Sequence, residues 1–165
     1  IASQLRTVPV VRTEYLSVLH GLTTGQAPEL DLEFEVLLQK TLLEAIKQKR
    51  VNAAHDVSDG GLAVTFAEMA IFGEKGADLS VNDLEGSRHE VLYSEAQSGV
   101  VVTVPAAQAD ETINFFSQEG VPAVRLGSVG GERLVIDELL SLAVADLARV
   151  YESSMPDAMG ELVQA

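Results

Sequence analysis

An α+β domain with a mixed β-sheet and packed helices follows from three features of the sequence. Strand-like and helix-like patterns alternate along the chain, yet Gly130-Gly131 sits between two apolar runs and reads as a hairpin turn. With 165 residues, 47% of them hydrophobic, the chain is long and apolar enough for one domain with its own core. Aromatic residues make up only 5% and Trp is absent, so that core is aliphatic. No internal repeat, low-complexity tract or second domain is evident.

Residues 1–12 lack a clear period and end Val8-Pro9-Val10-Val11, which reads as a linker or a short strand at a domain edge. Thr13 to Gly21 reads as a short helix: Thr13 is suited to cap it, Tyr15, Leu16 and Leu19 give a face, and Gly21 ends it. Residues 23–30, with Gly25 and Pro28, form a loop. Asp31 to Arg50 is the clearest helix. Asp31 is a good N-cap, Phe34, Leu37, Leu38, Leu42, Ala45 and Ile46 form a stripe, and Lys47, Lys49 and Arg50 compensate the negative end of the dipole. Val51 to Val57 reads as a buried strand, and Leu62 to Phe72 as a helix closed by Gly73. Ala77 to Val81 alternates like a short strand, and the polar stretch Asn82 to Glu90 reads as a loop.

Val100 to Val104 is the strongest strand signal in the chain, and Pro105 ends it. Ala106 to Glu119 is a helix stopped by Gly120. Val121 to Val129 is a strand whose hairpin partner is Arg133 to Ile136. Leu142 to Val144 is a further short strand. Ala145 to Ser153 is the last helix, ending before Pro156, with a fraying tail over 157–165. The domain proper is thus expected to span 13–156.

The formal net charge is −14, from 25 acidic against 11 basic residues. Phosphate backbones and anionic membranes repel such a surface, which argues against nucleic acid and membrane partners. A nucleotide stays admissible, because a bound cation neutralises phosphate charge locally. Cys is absent, which excludes disulfides, thiolate catalysis and Cys-based metal sites. The sequence has no signal peptide and no apolar run long enough to cross a bilayer. It begins at Ile1, which reads as a processed or excised fragment.

The stretch that carries chemistry is His55-Asp56-Val57-Ser58-Asp59-Gly60-Gly61-Leu62, at a strand-to-helix junction. A turn there aims backbone N–H groups and the positive end of the helix dipole at whatever binds. A carboxylate holds a hard cation, which bridges to phosphate oxygens. Each residue has a second reading. Asp56 is a metal ligand or a strand-end carboxylate capping the turn. Ser58 contacts a phosphate or caps the helix. Asp59 reads as a cap more than as a ligand. His55 pairs with a carboxylate or is simply packed. Gly60 and Gly61 permit close backbone approach, either to a ligand or to a neighbouring helix. No catalytic residue is assigned, because His20, His55 and His89 fall in different elements and no Ser-His-Asp set assembles.

The run Ala54 to Val64, continuing through Ala67-Glu68-Met69-Ala70, resembles the C-terminal half of phosphoribosylformylglycinamidine synthase, an AIR synthase-related amidoligase. Glu14-Tyr15-Leu16 with His20-Gly21, Leu30-Asp31-Leu32-Glu33, Glu95 before Val100–Val104, and Gly127-Ser128-Val129-Gly130-Gly131 extend the resemblance over roughly 13 to 156. It implies a three-layer α/β/α, AIR synthase-related C-terminal-domain-like fold. It also implies ATP-dependent conversion of formylglycinamide ribonucleotide and glutamine to the amidine, ADP, phosphate and glutamate, in the cytoplasm.

On that resemblance, Asp56 is a Mg²⁺ ligand, Ser58 contacts an ATP or ADP molecule held in an auxiliary site, and Gly60 and Gly61 belong to the same nucleotide loop. Because the sequence ends soon after its last helix, it is similar to the final C-terminal half of a small-subunit version. The partners implied are the upstream AIR synthase-like domains, a glutaminase and a small accessory subunit, with most catalytic groups on the upstream halves. Glu95-Ala96-Gln97 departs from the substrate-binding Glu-Ser-Gln of the other half, and Gly99 stands where Arg is common, which implies a degenerate counterpart. Two further readings stand beside this one: a non-catalytic interaction domain that binds no nucleotide, and another ATP-using enzyme of the superfamily.

Overall fold

A computed structural model describes residues 1–3, 10 and 12–164. Most of the expected 1–12 linker, residues 4–9 and 11, lies outside the described residues. Ala2–Ser3 forms strand β1, which pairs on both sides and so lies inside a sheet.

The helices form where caps and apolar stripes coincide. Helix α1 (Glu14–His20) starts with the Thr13 hydroxyl accepting from Leu16 N–H and ends at Gly21, whose φ of 63° is left-handed. Helix α2 (Leu32–Lys47) starts with the Asp31 carboxylate accepting from Phe34 N–H at 3.0 Å, and it buries Leu38, Thr41 and Ala45. Beyond its C-terminus, Arg50 does more than compensate a dipole. Its guanidinium donates to Glu111 at 2.7 Å and lies 5.0 Å from the centre of the Phe115 ring. Strand β2 (Ala53–Asp56) leads into helix α3 (Gly61–Gly73), and strand β3 (Ala77–Leu79) follows.

Helix α4 (Arg88–Tyr93) occupies part of the expected 82–90 loop and runs beyond it. Ser87 and Glu90 form a reciprocal capping box, the Ser-x-x-Glu signal that opens a helix. Strand β4 (Val100–Thr103), a 3-10 turn at Ala106–Gln108 and helix α5 (Ala109–Gln118) come next. The expected strand 121–129 is two short ones, β5 (Ala123–Val124) and β6 (Gly127–Val129), in different sheets. Strands β7 (Arg133–Ile136) and β8 (Leu140–Ala143) precede helix α6 (Val144–Gln164), which continues through Pro156 instead of ending before it.

The α+β class with mixed pairing and packed helices holds, with the strands divided between two four-stranded sheets. One has the order β2-β4-β1-β5 and is antiparallel throughout; the other has the order β6-β3-β7-β8. In the second, β3 pairs antiparallel with β6 and parallel with β7. The β6–β7 hairpin read from the sequence is therefore not formed: β3 lies between the two strands. Gly76 explains how β3 fits there. A Cβ on it would lie 2.1 Å from the Arg133 carbonyl oxygen, so only glycine lets these backbones meet.

Alternation along the strands sets up two cores, one on each face of the first sheet. Val101 and Ala2 face the larger core with Leu62, Phe66, Leu134 and Ile136. Val100 and Ala123 face the smaller one, where α2 and α5 contribute Leu38, Ala45 and Phe116. The turn between β7 and β8 is held by Asp137, at a left-handed φ of 44°. Its carboxylate accepts from Val81 N–H at 2.9 Å and from the Asn82 amide at 2.7 Å. The Val81 bond, a Ser80 hydroxyl and the Arg88 charge keep its pKa below the usual range.

Thr112 on α5 is fully buried, and among the described residues its hydroxyl has no hydrogen-bond partner. Replacing an unsatisfied hydroxyl by a methyl of the same shape removes a desolvation cost, so Thr112→Val is expected to stabilise by about 1 kcal/mol. Denaturant midpoints at an unchanged m-value measure it. A destabilised variant would mean that the hydroxyl does find a partner in solution.

Candidate functional site

The junction between β2 and α3 is shaped by an edge strand and two left-handed glycines. The expected buried strand 51–57 is shorter and sits at the sheet edge, with Ala53, Ala54 and Asp56 exposed. A Val/Ala run has the same pattern at an edge as in an interior, which is why the sequence did not separate the two. Among the described residues the strand pairs only with β4, placing His55 opposite Val101 and Asp56 opposite Val100. Opposed residues share a face. Hence His55 points toward the larger core, while Asp56 points to the α2 face of the same sheet.

Asp56 is 75% exposed, and its carboxylate lies 3.7 Å from His55 Nδ1. It borders an open cavity of about 590 Å³ that also takes in Ser58, Asp59, Glu35, Gln97 and Arg12. Residues far apart in sequence thus meet: the His-Asp-x-Ser-Asp-Gly-Gly stretch, the Glu95-Ala96-Gln97 turn and the N-terminal half of α2. Among the described residues four carboxylates line this cavity, against a single cation, Arg12. Two of the four are already engaged. Glu35 accepts from Gln39 and from the Ser98 hydroxyl, and Glu95 accepts from two backbone amides. Asp56 and Asp59 are the carboxylates left to face a ligand.

The N-terminus of α3 differs from the sequence reading. Neither Ser58 nor Asp59 caps it: the N-cap is Gly60, at φ 79°, with no side-chain cap. Ser58 contributes its carbonyl, which accepts from Gly61 N–H at 2.9 Å, and its side chain stays exposed. The carboxylate at this terminus comes from Glu95, whose Oε1 accepts from Gly60 N–H at 2.8 Å and from Glu14 N–H at 2.8 Å. One oxygen therefore ties the first residue of α1 to the entry of α3. No local pattern points to this pair of bonds, which span 35 and 81 residues. Gly61, at φ 67°, is needed for close approach to a neighbouring helix: a Cβ there would lie 2.8 Å from the Leu92 carbonyl oxygen and 2.9 Å from that of Ser94.

His55 does pair with a carboxylate. Its Nε2 lies 3.2 Å from Glu68 Oε2, and its Nδ1 lies 2.7 Å from the Asp56 carbonyl oxygen. Both ring nitrogens thus face oxygen acceptors, which fixes the orientation of the ring between β2 and α3. His20 and His89 lie elsewhere, near the Tyr15 ring, with ring centres at 5.5 Å and 5.8 Å.

Among the described residues no group of three or more His, Asp or Glu is arranged to hold a metal ion. A self-contained protein cage is therefore absent from them. Mg²⁺ does not require one: it commonly takes one or two carboxylates, completing its shell with phosphate oxygens and water. An exposed Asp56 carboxylate that lines one cavity with Ser58 fits that donor set. Among the described residues no helix is long and apolar enough to cross a membrane.

The family described as AIR synthase related protein, C-terminal domain, matches residues 12–137. Curated relatives include phosphoribosylformylglycinamidine synthase subunit PurL of Allorhizobium ampelinum, 41% identical over 145 residues, covering 88% of this chain and 20% of that protein. The subunit of Anaeromyxobacter dehalogenans is 38% identical over 153 residues, covering 87% and 20%. The chain thus spans about a fifth of the length of these relatives. Among solved structures, Thermotoga maritima PurL complexed with FGAR superposes with a TM-score of 0.65 at 20% identity, covering 80% of this chain and 24% of that one. The same protein complexed with ADP gives a TM-score of 0.63 at 21% identity, covering 76% and 23%. At these identities the superposition establishes a shared fold.

Proposed function

Because the chain belongs to the AIR synthase related C-terminal domain family, we propose that it is the C-terminal domain, residues 13–156, of a phosphoribosylformylglycinamidine synthase. On this reading the parent enzyme works in the cytoplasm. It uses ATP to activate the formamide oxygen of its substrate, which ammonia derived from glutamine then displaces. This domain contributes part of a Mg²⁺–nucleotide site and a surface for the other domains and subunits. Asp56 would hold the cation and the Ser58 hydroxyl would contact a phosphate oxygen, with Gly60 and Gly61 shaping the loop between strand and helix. The cation, when bound, supplies charge neutralisation for the nucleotide phosphates.

The observation that carries this reading is the exposed Asp56 carboxylate near Ser58 in sequence at the entry to α3, in a cavity where Glu35 and Glu95 are already satisfied by other donors. Solved PurL relatives complexed with ATP, AMPPCP and ADP support nucleotide binding within the family. The test is calorimetric titration of ADP into the synthase subunit carrying this domain, with and without Mg²⁺. Mg²⁺-dependent binding is expected, weakened at least about tenfold, or ~1.4 kcal/mol, by Asp56→Ala. Unchanged binding by the variant would remove Asp56 from the metal site and leave the domain as scaffold.

A further inference from the structure

A second cavity, of about 730 Å³, lies on the opposite face of the first sheet and has no part in the proposed nucleotide site. Its volume falls within the range of about 300–1,000 Å³ common for small-molecule sites. The wall from α3 is apolar, with Phe66, Met69 and Phe72, and Leu79 and Val129 close it from the second sheet. Strand alternation puts Ala53 and His55 on this face and Asp56 on the other, so the two cavities share β2 but not their contents.

The charge of the lining is the informative property. The chain carries 25 acidic residues against 11 basic ones, yet among the described residues no Asp or Glu lines this cavity, while Lys75 and Arg125 do. The nucleotide-side cavity has the reverse balance, with four carboxylates and one Arg. In a molecule this acidic, a concave surface lined by cations and free of carboxylates attracts anions where the rest of the surface repels them. Neither Lys75 nor Arg125 forms an ion pair among the described residues, so each is available to a ligand.

We propose that this cavity is a binding site for a small organic anion, its apolar body against Phe66, Met69 and Phe72 and its acidic group toward Lys75 and Arg125. The probe is anilinonaphthalene sulfonate, followed by fluorescence on the intact chain, with the uncharged N-phenylnaphthylamine as the matched neutral compound. Saturable binding of both at one site is expected. The double variant Lys75→Gln/Arg125→Gln should weaken the sulfonate roughly three- to tenfold, the scale of two exposed charge contacts, and leave the neutral compound unchanged. Both positions are exposed, so the fold should survive; an unchanged thermal midpoint checks this. Ala53→Trp, which puts bulk into the cavity from an exposed edge strand, should weaken both probes. The proposal is overturned by absence of saturable binding, by sulfonate binding indifferent to the charge variants, by equal losses for both compounds in the double variant, or by indifference to Ala53→Trp.

Discussion

Gly61→Ala is expected to lower the unfolding free energy by about 3–5 kcal/mol, near the upper end of single-substitution effects. Two costs add at this position. The left-handed φ of 67° costs any L side chain about 1–2 kcal/mol. The new methyl would also sit 2.8–2.9 Å from backbone atoms of Leu92, Tyr93 and Ser94. Backbone at the end of α4 cannot rotate aside as a side chain would, so α3 and α4 must separate. Gly21→Ala separates the two terms. Its φ of 63° is nearly the same, but nothing lies within 4 Å of the added Cβ, so its loss should be only about 1–2 kcal/mol. Denaturant unfolding of the two variants measures the difference. Equal losses would mean that the α3–α4 approach is looser than its geometry indicates.

Much of this fold was legible because local chemistry and tertiary outcome agree. Thr13 and Asp31 cap α1 and α2 as their types predict, and the Val100 run forms β4. The misreadings are of two kinds. Some signals were present but short: Ser87 and Glu90 spell a capping box, yet the six-residue helix they open was absorbed into a polar loop. Others lay outside any local window. The Val121–Val129 run and the Arg133–Ile136 run look like hairpin partners, and only the approach of Gly76 to Arg133 reveals β3 between them. Pro156 is a good stop signal locally, but α6 passes through it.

The candidate site divides the same way. Asp56 and Ser58 stood out because carboxylate, hydroxyl and glycines are adjacent in sequence. Glu95 and Arg12 joined the cavity only through the fold, and the carboxylate at the α3 terminus belongs to Glu95, not to Asp59.

The role of Glu95 makes the second large prediction. Helix α1 buries no residue of its own. It is held by the Glu95 bond to Glu14 N–H and by the Tyr15 ring stacked on Tyr93 at 4.6 Å. The same carboxylate oxygen takes up the Gly60 amide at the start of α3, where the helix dipole favours negative charge. Glu95→Ala would leave two amide donors without this acceptor, and bonds to a charged group are worth roughly 1.5–3 kcal/mol each. Because Glu95 is only half-buried, water would restore part of this, so a net loss of about 2–4 kcal/mol is expected. Glu95→Gln keeps an oxygen in place and removes the charge, and should cost about 1 kcal/mol. The two variants also report on position. In hydrogen exchange, Glu95→Ala should speed exchange at the Glu14 and Gly60 amides more than elsewhere, because their acceptor is gone. Uniform acceleration would mean a global loss of stability with no specific tie between α1 and α3. If Glu95→Gln is as damaging as Glu95→Ala, charge at the α3 terminus matters more than the shared acceptor oxygen.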